Sequence, residues 1–115
     1  MINQSIFFIQ SQGKGKFVKI KKDEIIYLES KANYLHIHMI EDSYQTYLTM
    51  AEIAVILPTS EFIRVHKSFV VNLTHLVSIN GNYIHLKNEI KIALGRNYRA
   101  AFFDKINPLL IKSKR

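Results

Sequence analysis

The chain has 115 residues, enough for one domain with a single core, and 48% of them are apolar and 11% aromatic, which excludes a disordered chain. Lys and Arg number 16 against 9 Asp and Glu, a net charge of +7, which favours a polyanionic partner. Cysteine is absent, which excludes a disulfide scaffold, a zinc ribbon and a thiol enzyme, and fits a cytoplasmic location.

The first elements read as short strands. Ile6 to Gln10 is apolar with polar flanks, and Gly13 and Gly15 mark a turn before Lys16 to Ile20. Glu24 to Glu29 is a β-branched and aromatic run. Tyr34 to Ile40 alternates, with Leu35, Ile37 and Met39 on one face and Tyr34, His36 and His38 on the other. Glu41-Asp42-Ser43 then turns the chain into Tyr44 to Leu48.

A first helix is predicted over 50–57. Thr49 and Glu52 form a capping box at its start and Pro58 stops it. Phe62 to Asn72 follows as the most informative stretch. Arg64, His66 and Ser68 alternate with Ile63, Val65 and Phe69, the pattern of a strand with one face on a core and one face wet. Val70 to Leu73 fits either a strand or a helical turn. Asn80-Gly81 predicts a type I′ hairpin, and Lys87-Asn88 a second tight hairpin between Tyr83 to Leu86 and Ile90 to Leu94. The last helix is predicted over 97–107, with Asn97 as its cap, Pro108 beyond it, and Tyr98, Ala101, Phe102 and Ile106 as the stripe that docks on the sheet. The basic tail Ile111 to Arg115 is expected to fray.

Charge is uneven along this order. From Ser60 to Arg115 there are ten cations (Arg64, Lys67, Lys87, Lys91, Arg96, Arg99, Lys105, Lys112, Lys114 and Arg115) against three acids, so the net +7 resides in the second half. The same half holds two clusters of base- and phosphate-directed side chains, Phe62 to Asn72 and Leu94-Gly95-Arg96-Asn97-Tyr98-Arg99. A cation, an imidazole and a hydroxyl on one wet face suit phosphates and base edges better than small-molecule chemistry.

These two clusters, with Asp23 to Ser30 and Asn33-Tyr34 upstream, resemble in order and spacing the LytTR DNA-binding domain, over about Ile6 to Ile106. That domain is the output module of many bacterial two-component response regulators. The resemblance implies a mainly β, elongated fold of short antiparallel strands and hairpins with two short helices. It also implies that DNA is read by loops at one edge, which enter successive major grooves, and not by a recognition helix. Matched to the family's motif, Asn33, Lys67 and Arg96 take the base-reading positions. Arg96 has a fork suited to guanine O6 and N7, with Gly95 beside it for close approach, and Asn33 has an amide suited to adenine. Asn33 is equally explained as a turn asparagine, and Lys67 as a phosphate contact. Lys31, Tyr34, Arg64, His66, Ser68, Asn97 and Arg99 are expected to support or touch phosphates. Arg64 and His66 are equally explained as holding the adjacent loop, and Asn72 is expected to fix the turn after the motif.

Other chemistries lack their parts. His36 and His38 share a strand face, yet His66, His75 and His85 add no ligand spacing, so no metal or other cofactor is expected. No phosphate-binding loop, dinucleotide motif or H-E-x-x-H is present, and no acid pair stands out, so no catalysis is expected. No apolar run is long enough to span a bilayer as a helix. Residues 1–115 read as one domain without the receiver domain of a longer regulator, so the chain is expected to be the C-terminal part of one. The expected partners are duplex DNA, a second copy on paired repeats, and a sensor kinase acting only through the missing receiver. Two rival readings are a β-rich binder of single strands or RNA and a protein-interaction module with incidental charge.

Overall fold

The computed structural model describes residues 5–11 and 15–114. The turn expected at Gly13 and Gly15 therefore lies partly outside the described residues; Gly15 takes a left-handed φ of 78°. On either side of it, β1 (Ile6–Gln10) and β2 (Phe17–Lys21) pair antiparallel as a separate hairpin.

The centre of the fold is a five-stranded antiparallel sheet. Its strands are β3 (Ile25–Lys31), β4 (Tyr34–Met39), β5 (Ser43–Thr46), β6 (Phe62–His66) and β7 (Phe69–Asn72), in the order β5-β4-β3-β7-β6. A second sheet of β8 (Leu76–Asn80), β9 (Tyr83–Leu86) and β10 (Ile90–Ala93) is a plain meander. The molecule is elongated, 59 × 35 × 24 Å, as the resemblance implied.

The central sheet buries side chains on both faces. Ile25, Leu28, Leu35, Ile37 and Phe62 pack with Ile9 and Ile20 of the first hairpin and with Ile53 and Leu57. On the opposite face Ile26, Ile63, Val65 and Val71 pack with Ile84, Leu86 and Ile92 of the second sheet and with Phe102 and Ile106. The alternation of Leu35 and Ile37 with His36 and His38 holds, because a strand turns successive side chains to opposite faces.

Several boundaries differ from expectation. The first helix, α1, is Met50–Ala54, shorter than 50–57. Its capping box forms with both arms, Glu52 N–H donating to Thr49 Oγ1 at 3.1 Å and Thr49 N–H to Glu52 Oε1 at 2.8 Å. It gives way to turns before Pro58, because the β-branched Val55 and Ile56 and the pre-proline restraint disfavour another helical turn. The last helix, α2, is Arg99–Ile106, preceded by a 3₁₀ turn Arg96–Tyr98 and followed by another over Asn107–Leu109 that includes Pro108. Asn97 is not its cap; Gly95 precedes the 3₁₀ turn and no side chain caps it. Ala101 is exposed, and Phe103 takes its expected place against the core.

Phe62 to Asn72 is not one strand. It reverses at Lys67-Ser68, so Val70 to Asn72 is strand and Ser68 does not share a face with Arg64. Asn72 is buried and fixes the following turn as expected. Its Oδ1 accepts from Thr74 N–H at 3.0 Å, and its Nδ2 donates to Ile25 O at 2.8 Å. The hairpin expected at Asn80-Gly81 is centred one residue later. Asn80 pairs with Tyr83, and of the central pair Gly81-Asn82 only Gly81 has positive φ, 59°, as in a type II′ turn. The second hairpin, Leu86 to Ile90, spends positive φ on Asn88 and Glu89. Asn88 Nδ2 donates to Ile40 O at 2.9 Å and ties the two sheets together.

Candidate nucleic-acid interface

Three loops meet at one end of the central sheet. The β3–β4 tip carries Asn33. Beside it, β3 and β7 pair through Glu29 and Phe69, and Ser30 N–H donates to Ser68 O at 2.8 Å, which sets the β6–β7 tip with Lys67 at the same end. Neighbouring strands lie about 4.8 Å apart, so the axes of these two hairpins are about 10 Å apart. The third loop, Gly95 to Tyr98, joins on the far side of β6. Asn33, Lys67 and Arg96 thus follow one another along a single edge. All three are exposed, and no hydrogen bond to another described residue engages their side chains.

The attachment of the third loop depends on a β-bulge. The β6–β7 register shifts between Arg64 and His66, leaving Val65 as the extra residue. The Val65 carbonyl, turned out of the ladder, accepts Gly95 N–H at 2.7 Å. A Cβ at Gly95 would stand 3.2 Å from Tyr98 Cδ2, 3.4 Å from Val65 O and 3.6 Å from His66 Cα. A side chain here would crowd the Tyr98 ring, while the φ of −68° is open to any residue.

In the β3–β4 turn the left-handed residue is Ala32, with φ 56°, and not Asn33. Left-handed geometry strains a residue with a Cβ by roughly 1–2 kcal/mol. The local explanation of Asn33, that asparagine tolerates such a φ, therefore fails, and Asn33 is left with an exposed amide at the tip.

The supporting residues divide. Lys31 and Asn97 are exposed beside their tips, and Ser68 is half-buried in its turn. Tyr34 shares a hydroxyl contact of 3.2 Å with Tyr47, their rings 4.9 Å apart, and this bond holds the Tyr34 proton above the usual phenol range. Tyr47 is 73% exposed and directly follows β5, one step past the Leu35–Thr46 pair; it went unnoticed in the sequence, and continuing that alternation to Tyr34 was the available signal. His66 Nδ1 accepts Ser68 N–H at 3.1 Å, so that nitrogen carries no proton and the ring closes the turn. Arg64 Nε donates to His66 O at 3.0 Å and its Nη2 donates to Lys67 O. Arg99 Nη1 donates to Asn82 Oδ1 at 3.0 Å and to Gly81 O at 3.3 Å, and its guanidinium lies 4.9 Å from the Phe103 ring centre.

His38 stacks on Tyr27 at 4.2 Å, and its Nε2 lies 3.2 Å from Glu29 Oε1. Burial holds its pKa below the ordinary 6.5 despite the attraction of Glu29. Among the described residues no group of three or more His, Asp or Glu side chains is placed to hold a metal ion. No described helix is long and apolar enough to cross a membrane.

The arrangement of loops on this sheet has a counterpart among known proteins. The profile of the LytTr DNA-binding domain matches residues 15–107. The chain belongs to this family. The sensory transduction protein LytT of Bacillus subtilis (strain 168) is 34% identical over 86 residues, covering 70% of this chain and 36% of that protein. The protein of the same name from Bacillus anthracis is 27% identical over 86 residues, covering 70% of this chain and 35% of its own length. The chain thus spans about a third of the length of these relatives. A solved LytTr DNA-binding domain of a putative methyl-accepting/DNA response regulator from Bacillus cereus superposes with a TM-score of 0.80 at 20% identity, over 90% of this chain and 98% of that one. The mainly β LytTr fold read from the motifs is the fold observed.

Proposed function

We propose that this LytTr domain binds duplex DNA sequence-specifically, as the output part of a longer transcription regulator. The observation that carries the reading is the row of Asn33, Lys67 and Arg96 along one sheet end. In this reading the three loops enter the major groove, Arg96 pairs with a guanine, and Asn33 and Lys67 meet neighbouring bases or phosphates. Lys31, Ser68, Asn97 and the Tyr34–Tyr47 hydroxyl pair lie where they can grip the flanking backbone. A second copy binds a paired repeat, and a receiver domain, answering to a sensor kinase, belongs to the whole regulator.

The single-strand alternative needs free aromatic faces for stacking. Of the rings that alternative would enlist, Tyr34 lies against Tyr47, Tyr83 carries Lys91 Nζ 4.1 Å from its ring centre, and Tyr44 is half-buried, so none presents two free faces. Two measurements test the reading. Unlabelled duplex should displace a bound duplex better than single strands of the same sequence do. In addition, log K should fall linearly with log salt, with a slope of about −0.9 for each phosphate contact, and about four to seven contacts are expected. A flat salt response, or preference for single strands, would refute duplex recognition.

A further inference from the structure

We propose that Arg64 is a positioning residue that clasps the Lys67 loop to the Arg96 loop, so that the bases they meet are recognised as one unit. This rests on the DNA reading above. An exposed arginine on a strand facing DNA is ordinarily assigned to phosphate. Here its fork is turned on the protein: Nε and Nη2 hold the carbonyls of His66, the last residue of β6, and Lys67, the first of the β6–β7 turn. The guanidinium carbon also lies 5.9 Å from the centre of the Tyr98 ring, in the other loop.

The surroundings pre-set this geometry. Arg64 also borders the apolar cleft of Leu28, Phe62 and Val70 under α1, where its stem can lie along apolar surface. The loops are already adjacent through Gly95 N–H on the bulged Val65 carbonyl at 2.7 Å. The loop is anchored again at the buried Leu94, whose N–H donates to Asn82 O at 2.8 Å, and what these backbone bonds leave free is rotation of the Gly95 loop about them. Tyr98, pinned between Gly95 and the guanidinium, opposes that rotation. A planar fork can bond two carbonyls along its edge and present a face to a ring at the same time; a lysine ammonium cannot. The clasp therefore predicts that charge at position 64 is not enough.

The test compares the wild type with Arg64→Ala and Arg64→Lys. In the free protein, amide relaxation should show increased motion at both 66–68 and 95–98 in each variant, with 31–34 unchanged. In selection from a random duplex library, both variants should lose about tenfold in the ratio of specific to scrambled binding. The loss should fall on the base positions that Lys67→Ala and Arg96→Ala weaken singly, with the salt slope unchanged. Recovery of wild-type selectivity by Arg64→Lys, with a slope lowered by about 0.9 in Arg64→Ala, would make Arg64 a phosphate contact and overturn the clasp. Loosening confined to 66–68 would overturn it too. A wild type with no base preference would sink the DNA reading instead, and the relaxation measurement, which needs no DNA, still decides the clasp.

Discussion

Replacing Arg96 by alanine separates base reading from charge. Arg96 opens the 3₁₀ turn before α2, where its carbonyl accepts Arg99 N–H, a backbone bond that alanine keeps. Its side chain is exposed and bonds no described residue, so stability should change by less than about 0.5 kcal/mol. A bidentate pair with guanine is worth about 1–3 kcal/mol of discrimination. At about 1.4 kcal/mol per tenfold, affinity for a selected site should fall roughly 5- to 150-fold. A scrambled duplex loses only a phosphate-like contribution and should weaken far less. Anisotropy with both labelled duplexes at one salt concentration measures the two losses, and repeating the selection with the variant should show relaxed preference at one position. Equal losses on both duplexes would demote Arg96 to a backbone contact, and no loss on either would remove it from the interface.

Two predictions concern the scaffold. Asn72→Ala should destabilise the domain by about 2–4 kcal/mol in urea unfolding followed by far-UV circular dichroism, because it orphans the buried Ile25 carbonyl, removes the Thr74 bond and opens a small void; a loss under about 1 kcal/mol would show that the Asn72 bonds do not hold β7 to β3. His38, depressed below 6.5 by burial, is protonated more readily in the unfolded chain, so its contribution is fully present above about pH 6.5 and is lost as the pH falls through its lower folded value. His38→Phe, which keeps a ring on Tyr27, should flatten the stability profile of the domain in that window, and an unchanged profile would contradict the assignment.

Local chemistry was legible where a residue's partner lay close along the chain. Thr49 and Glu52 cap each other within one turn of helix, and Leu35 and Ile37 alternate within one strand. Even the meeting of three distant loops followed from strand ends, once Asn33, Lys67 and Arg96 were placed on a known motif. What escaped the sequence is set by contacts between elements. The Val65 bulge exists in a pairing register, and it puts Gly95 against β6. The left-handed residue at the first tip is Ala32, which no propensity selects. Arg64 and Arg99 look alike as surface cations, yet both turn to backbone carbonyls, at Lys67 and Gly81, that only the fold brings near. Phe103 supplants Ala101 on the docked face because a 3₁₀ turn precedes α2 and shifts the phase of the stripe.

Titration of the labelled domain with a duplex of its selected site, followed by amide shifts, tests the central claim most directly. Loop reading predicts changes clustered at Lys31 to Tyr34, His66 to Ser68 and Gly95 to Arg99, the three segments that the fold gathers at one end. The exposed face of α2 offers Ala100, Asp104 and Lys105, and Asp104 would repel phosphate. Changes confined to Ala101 through Asn107 would place that helix in the groove and contradict the account.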